Sequence, residues 1–508
     1  MRAAVQDAGH SWGRAAVIPH SRGAYASSRL AHLVAVLVVA APAAAAEAYD
    51  PAPWLADLEQ ARMAFATKYA DLEWEVRVRK LDLNAVFAQT RARLRGARSD
   101  ADARAAFNAL ARRFVDRHVH FSWPQAQANP AHGLSCTALG YNAQMQGAPL
   151  AALIPGFEPL IPAPSARFPA GVLRVGAHQV AVVKVPLFSP RGFPALCEAA
   201  IVALQLGPAQ SCEAECADRI EAWASDRLTR EWAATLEVLA ASGADTVLVD
   251  IADNGGGSEW AEAAARMVSG VRLNSIPMYF VKGEHWARRL GLKEDALRAA
   301  AQGAPEADRR WLEGQADLVQ ERRRDAETPC DGSPLWKGAR PDCAWLGDGF
   351  YSTGLLQSAD PEELRSKPWA ALVFSPMQYP YQPGVWQGPL VVLVNDGTGS
   401  AAEQFAAELH DNRAAIIVGT RTVGAGCGYT DGGTPTTLTH SRAVLRLPDC
   451  VRLRADGTNL AEGLQPDVPV ALRADASPAL NARRVRASLG DAMRLAQRLH
   501  ETMSSDAR

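Results

Sequence analysis

The chain has 508 residues, of which 48% are hydrophobic and 21% charged, with a formal net charge of -2. A chain of that length buries a sizeable core and divides into roughly two to four domains on size alone. The balanced charge, with no basic stripe and no long single-sign run, excludes a nucleic-acid binder and a charged disordered tail.

The first fifty residues differ from the rest. Arg29 precedes an apolar run from Leu30 to Ala41, and Pro42 and the small residues Ala43 to Ala46 follow. A positive flank, a short apolar run and an Ala-x-Ala site predict a secretory signal over 1–46, with an uncleaved anchor as the alternative. All eight cysteines lie beyond it: Cys136, Cys197, Cys212, Cys216, Cys330, Cys343, Cys427 and Cys450. An even count in an exported chain predicts disulfides. Local pairs are expected for Cys330 with Cys343 and for Cys427 with Cys450, and one of Cys197, Cys212 and Cys216 is expected to reach Cys136. Zinc is disfavoured because no Cys-x-x-Cys pair is present.

From Pro51 to Phe114 the spacing of Leu55, Leu58, Met63, Phe65 and Tyr69 predicts helices. A small helical domain and a Pro-rich connector are expected over 47–165. Strands are predicted at Val172 to Val175 and Val180 to Val185, a helix from Asp226 to Ala241, and a buried strand from Thr246 to Ile251. That βαβα order gives an α/β class with a largely parallel sheet over 166–475. The polar stretch of about 285–383 reads as an insertion, a candidate lid. The core pattern resumes at Leu390 to Asn395, with further strands near Ala415 to Gly419 and Ala443 to Leu447. Residues 476–508 read as a surface helix.

Two turns can carry chemistry. In Asn395-Asp396-Gly397-Thr398-Gly399-Ser400 a buried strand stops, glycines turn the chain, and Ser400 stands where a helix starts. A helix N-terminus offers free N–H groups and a positive dipole end to an oxyanion. A serine there is equally an ordinary N-cap. In Asp250-Ile251-Ala252-Asp253-Asn254-Gly255-Gly256-Gly257 three glycines let the backbone approach a ligand or form a plain βα turn. No Gly-x-Gly-x-x-Gly dinucleotide pattern is matched.

In order along the chain come Asp250, Asn254, Gly256 and Gly257; Ser400-Ala401-Ala402-Glu403; Val418-Gly419-Thr420-Arg421-Thr422-Val423-Gly424; and Gly463-Leu464-Gln465-Pro466-Asp467. This ordered set resembles the tail-specific (C-terminal-processing) serine peptidase family. The resemblance runs from about Gly171 to Val470 apart from the insertion, with a further patch near His118. It implies a crotonase/ClpP-like α/β catalytic domain preceded by the small helical domain.

The resemblance also implies site residues. Ser400 is the nucleophile, and Gly256, Gly257 and Ala401 supply oxyanion N–H groups. The Lys of the family's Ser–Lys branch is replaced by Ala425. The tricorn-core-like branch instead uses a histidine, and Asp116-Arg117-His118 is similar to its Asp-x-His, which assigns the base to His118. Should no histidine serve, Lys184 and Lys282 are the next candidates. Glu462, directly before Gly463 where the family leaves two residues between, is the candidate to orient the base. The family's usual Arg is Ala252 here, and the connector is too short for a PDZ module. The implied activity is endopeptidase or C-terminal-processing hydrolysis of exported peptides or unfolded proteins, in the periplasm or outside the cell. No metal, organic cofactor or nucleic acid is implied. A catalytically inactive binding protein on the same scaffold and an acyl-thioester enzyme of crotonase type are the alternatives.

Overall fold

The computed structural model describes residues 49–124, 134–207 and 212–506. The expected signal lies outside the described residues. Four helices come first: α1 (Ala52–Lys68), α2 (Leu72–Arg77), α3 (Leu83–Arg95) and α4 (Asp100–Ala111). Side-chain caps start the last two, with Asp82 accepting from the Ala85 N–H and Ser99 from the Asp102 N–H. Their apolar faces bury Phe65, Tyr69, Phe87 and Phe107.

A seven-stranded sheet forms the centre. Its members are β2 (Phe157–Pro159), β3 (Ala170–Val175), β4 (His178–Lys184), β5 (Thr246–Asp250), β8 (Leu390–Val394), β9 (Ile416–Gly419) and β13 (Val468–Pro469), in the order β13-β9-β8-β5-β4-β3-β2. Pairings from β13 to β4 are parallel, and β4-β3 and β3-β2 are antiparallel. Both faces are covered, which is why these strands read as unbroken apolar runs. Ala181, Val183, Val247, Val249 and Val392 point to one face and Val180, Val182, Leu248, Val391 and Leu393 to the other.

The first face packs on α6 (Ala214–Ala241), α7 (Trp260–Met267) and α12 (Ala401–Asp411), burying Trp232, Trp260 and Phe405. Each such side chain contributes on the order of 1.5–3 kcal/mol by leaving water. α6 starts well before the expected Asp226, because Ile220, Ala224 and Leu228 extend its apolar face in steps of four. The second face packs on α13 (Pro478–Asp506), whose Val485, Leu489, Ala492, Met493 and Ala496 are buried. The expected surface helix is therefore a covering layer of the sheet.

Two small antiparallel sheets complete the fold. β1 (His120–Ser122), β11 (Val444–Arg446) and β10 (Thr436–Thr437) lie against the first four helices, where Leu438, Leu445 and Leu447 join the core of Phe65 and Phe107. β12 (Cys450–Arg452), β6 (Pro277–Val281) and β7 (Leu346–Tyr351) pack on the hairpin of α8 (Glu284–Gln302) and α9 (Glu306–Ala326). Short helices α5 (Pro194–Ala203), α10 (Pro361–Leu364) and α11 (Ala370–Val373) fill the margins.

Disulfides join Cys330 to Cys343 and Cys427 to Cys450, the two local pairs expected. Cys197 is the partner that reaches Cys136, and Cys212 pairs with Cys216. Among the described residues no helix is long and apolar enough to cross a membrane.

Candidate active site

β5 and β8 are parallel neighbours, so the turns that follow them emerge at one edge of the sheet. The two turns are laced together. The Gly399 N–H donates to Asn254 O at 3.0 Å, the Asp253 N–H to Asn395 Oδ1 at 2.7 Å, and Asn395 Nδ2 to Asp253 Oδ1 at 2.7 Å. Phe188 lies underneath, its N–H donating to Gly256 O at 2.8 Å. A Cβ on Gly256 (φ 114°) would come 2.7 Å from Ser400 Cβ, and one on Gly257 (φ 142°) 2.4 Å from Phe188 backbone. Glycine is required at both positions because the main chain passes so close.

Ser400 occupies a left-handed conformation, φ 53° and ψ -123°, at the N-cap of α12. A non-glycine residue there stores strain of order 1–3 kcal/mol and persists only where its surroundings over-determine it. Glu403 supplies much of that determination. Its buried carboxylate accepts from the Ser400 N–H at 3.0 Å, the Gly424 N–H at 2.8 Å, the Ala425 N–H at 2.7 Å and the Thr422 hydroxyl. Burial raises the Glu403 pKa, and these donors oppose it.

His118, 282 residues away in sequence, meets Ser400: Nε2 lies 3.2 Å from Oγ. On the ring's other side Nδ1 lies 2.8 Å from Asp116 Oδ1, which also accepts the His118 backbone N–H at 2.8 Å. Because a carboxylate only accepts, Nδ1 carries the hydrogen and Nε2 turns its lone pair to the hydroxyl. Asp116 is buried and its Oδ2 accepts the Gly426 N–H at 3.1 Å. Burial of the imidazole opposes its protonation, but the Asp116 charge and hydrogen bond, with Glu403 farther off, outweigh it and raise the His118 pKa.

The structure brings together Ser400, His118, Gly256, Gly257 and Ala401. The Gly256 N–H is engaged by Asn254 Oδ1 at 2.9 Å, whereas among the described residues the Gly257 and Ala401 N–H groups make no hydrogen bond. Ala425 lies beside the Ser400 turn, where a Cβ on Gly399 would be 3.7 Å from its Cβ. Glu462 ends a half-buried 3-10 turn, and no hydrogen bond or ion pair joins its carboxylate to His118 among the described residues. The contact expected of Glu462 is made by Asp116. Lys184 pairs with Asp250 and Lys282 with Asp325, both away from Ser400. His120 Nδ1 faces His118 O at 2.9 Å and Tyr429 Oη at 3.0 Å, rather than Ser400. Sequence reasoning gave no role to Asp116, Glu403 or Tyr429. The two-residue spacing of Asp116 and His118, which suits an Asx turn, was the available signal for the first.

A cavity of about 790 Å³ opens over Ser400. It is lined by Gly257, Ala401 and Gln404, by Trp286, Arg289 and Lys293 from α8, and by Tyr379, Tyr429 and Arg452. That volume suits a multi-atom ligand such as a peptide segment.

Residues 219–470 match peptidase family S41. That matched segment, which holds both the glycine turn after Asp250 and Ser400, is the segment of a serine peptidase. It is similar to carboxyl-terminal-processing peptidase 3, chloroplastic, of Arabidopsis thaliana, with 52% identity over 54 residues, which is 11% of this chain and 10% of that protein. The chain thus matches about a tenth of that curated relative's length. Among solved structures it is similar to mature CPAF (13% identity, TM-score 0.52, covering 89% of this chain and 98% of the other) and to a CPAF point mutant (13% identity, TM-score 0.55, covering 89% and 98%). At this identity the similarity concerns the fold.

Proposed function

We propose that this chain is an exported serine peptidase that cleaves peptide bonds in unfolded proteins or peptides, by internal cleavage or C-terminal processing, with Ser400 as nucleophile and His118 as general base. The observation that carries the reading is the Asp116–His118–Ser400 relay, with contacts of 2.8 Å and 3.2 Å. The family match over residues 219–470 supports the reaction class, and four disulfides support export.

In this scheme His118 Nε2 takes the Ser400 proton as Oγ attacks the substrate carbonyl. Asp116 holds the Nδ1–H tautomer and stabilises the imidazolium. The oxyanion of the tetrahedral intermediate accepts from the unengaged N–H groups of Gly257 and Ala401, and each such donor is worth roughly a hundred- to thousandfold in rate. His118 then protonates the leaving amine, and water attacks the resulting Ser400 ester with His118 again as base. A Ser–Lys mechanism has no residue here, because Ala425 fills that position. Glu462 has no part in the scheme.

The experiment is covalent labelling by a fluorophosphonate, followed by peptide mapping, alongside hydrolysis of an unfolded test protein. Labelling at Ser400, lost together with hydrolysis in Ser400→Ala, is expected. An intact protein that neither labels nor cleaves is a binding protein on this scaffold.

A further inference from the structure

We infer that Arg452 makes the cavity over Ser400 a receptor for a carboxylate of the substrate, an inference that rests on the peptidase reading. Arg452 ends β12, paired with Met278 of β6, and its side chain forms part of the cavity wall that includes Ser400. Nε donates to Ser352 Oγ at 2.7 Å, and Nη1 donates to Gly426 O at 3.3 Å and Cys427 O at 3.4 Å. Among the described residues Nη2 donates to nothing, and no carboxylate pairs with the guanidinium. A guanidinium has five N–H donors and no realistic way to lose its charge, so two donors and a full positive charge remain for a ligand.

Other arginines in buried or cleft positions are neutralised. Arg266 pairs with Glu262 and Glu408. Arg289, in the same cavity, pairs with Asp431 and lies over the Trp286 ring at 5.3 Å. Glu262, Glu259, Asp116 and Glu408 act on Arg452 only from beyond ion-pair distance, so the guanidinium still lacks a contact anion, which a ligand would supply. Lys293 on the same wall likewise bonds only a carbonyl, Leu372 O, at 2.6 Å. The cavity lining also includes Asp218, Glu221 and Glu259. Glu221 is already bound to Arg191 at 2.5 Å, and Glu259 is exposed and forms no ion pair with Arg289, Lys293 or Arg452. The Arg452 contacts fall on the loop whose Gly426 N–H holds Asp116 and whose Gly428 packs against His118, so the carboxylate would be read next to the catalytic groups.

The carboxylate is either the peptide's own C-terminus or an acidic side chain, and binding separates the two. The full chain carrying Ser400→Ala is titrated with fluorescent octapeptides of one neutral Ala/Leu sequence: with a free C-terminus, with a C-terminal amide, and as amides bearing one Glu or one Gln. One carboxylate-bearing peptide should bind ~10- to 100-fold more tightly than its neutral twin, and the pair that differs names the source. Adding Arg452→Met should bring that ratio close to one, and Arg452→Lys should leave an intermediate ratio. Equal binding of all four peptides, no measurable binding, a preference that survives Arg452→Met, or a uniform weakening by Arg452→Met would each overturn the inference; the last would make Arg452 a loop tie only. None of these outcomes depends on turnover, so failure of the peptidase reading is seen separately, in the labelling of Ser400.

Discussion

The proposed nucleophile, Ser400, and the proposed base, His118, are held by very different means. Ser400 stands on a strand–turn–helix unit whose strand is a central, fully buried member of the sheet and whose helix begins at the serine itself. Local chain geometry, three close-packed glycines and the Glu403 carboxylate set its position. His118 sits on an irregular loop between α4 and β1, and distant segments anchor it. Three residues of β1 pair with β11, the Arg117 N–H donates to Gly424 O at 3.1 Å, and the Tyr429 hydroxyl donates to His118 O. The strand-borne group is fixed by its own strand–helix unit and the turn of the neighbouring strand, and the loop-borne one is fixed by docking across more than half the chain. The second arrangement is the one that small perturbations should disturb first.

The largest effect expected short of deleting the nucleophile or base comes from the docking residue of the base. Asp116→Asn leaves the shape but loses the charge and the enforced tautomer, so kcat should fall roughly a thousand- to ten-thousandfold while the thermal midpoint moves little. Steady-state kinetics with circular-dichroism melting checks it. The matching perturbation of the nucleophile is Gly256→Ala. The new Cβ has no room against Ser400 Cβ at 2.7 Å, and the φ of 114° disfavours any side chain. Displacement of the serine by about 1 Å should cost on the order of a hundredfold or more. A fully active Gly256→Ala enzyme would show that the turn is less rigid than its packing implies.

The disulfide between Cys427 and Cys450 ties the loop that supports Asp116 and His118 to β12. Replacing both cysteines by alanine should lower stability by about 2–4 kcal/mol. Because Gly426 and Gly428 of this loop lie directly against Asp116 and His118, activity should fall before the fold does, by roughly 10- to 100-fold at temperatures well below the melting midpoint. Activity and stability lost in parallel would remove the contrast between the two anchorages.

The smallest effect is on pH dependence. His118 must be neutral to accept a proton, and Asp116 raises its pKa, so kcat/KM should fall on acidification with an acid limb above the ordinary histidine value of about 6.5. In Asp116→Asn the burial that opposes protonation is left without its counterweight, and the residual activity should show that limb at lower pH. A limb that stays in place would mean that another group titrates.

Much of this was legible in the sequence, and what was not has a physical reason. The βαβα run, the buried strand before Ser400 and the glycine turn after Asp250 are local patterns with long apolar periods, and they fold as read. The pairs Cys330–Cys343 and Cys427–Cys450 were readable because they close short loops. The partner of His118 was expected to be Glu462, because Glu462 and Asp116 are both carboxylates near family motifs and only the folded loop shows that Asp116 curls back onto the ring. β1 and β10 are three and two residues long, below the span at which alternation is detectable, yet with β11, the strand read near Ala443 to Leu447, they dock the base. Arg452 reads as one of many arginines until the strand that carries it is placed against the cavity.

The account rests most heavily on Ser400 and His118 acting as one unit. Its most direct test is kcat/KM on an unfolded protein substrate for Ser400→Ala, His118→Ala and the double variant, each verified as folded. Each single substitution should remove nearly all activity, and the double variant should fall no more than about threefold below the weaker single. A His118→Ala enzyme that keeps most of its activity, or losses that multiply in the double variant, would contradict the assignment of His118 as the base.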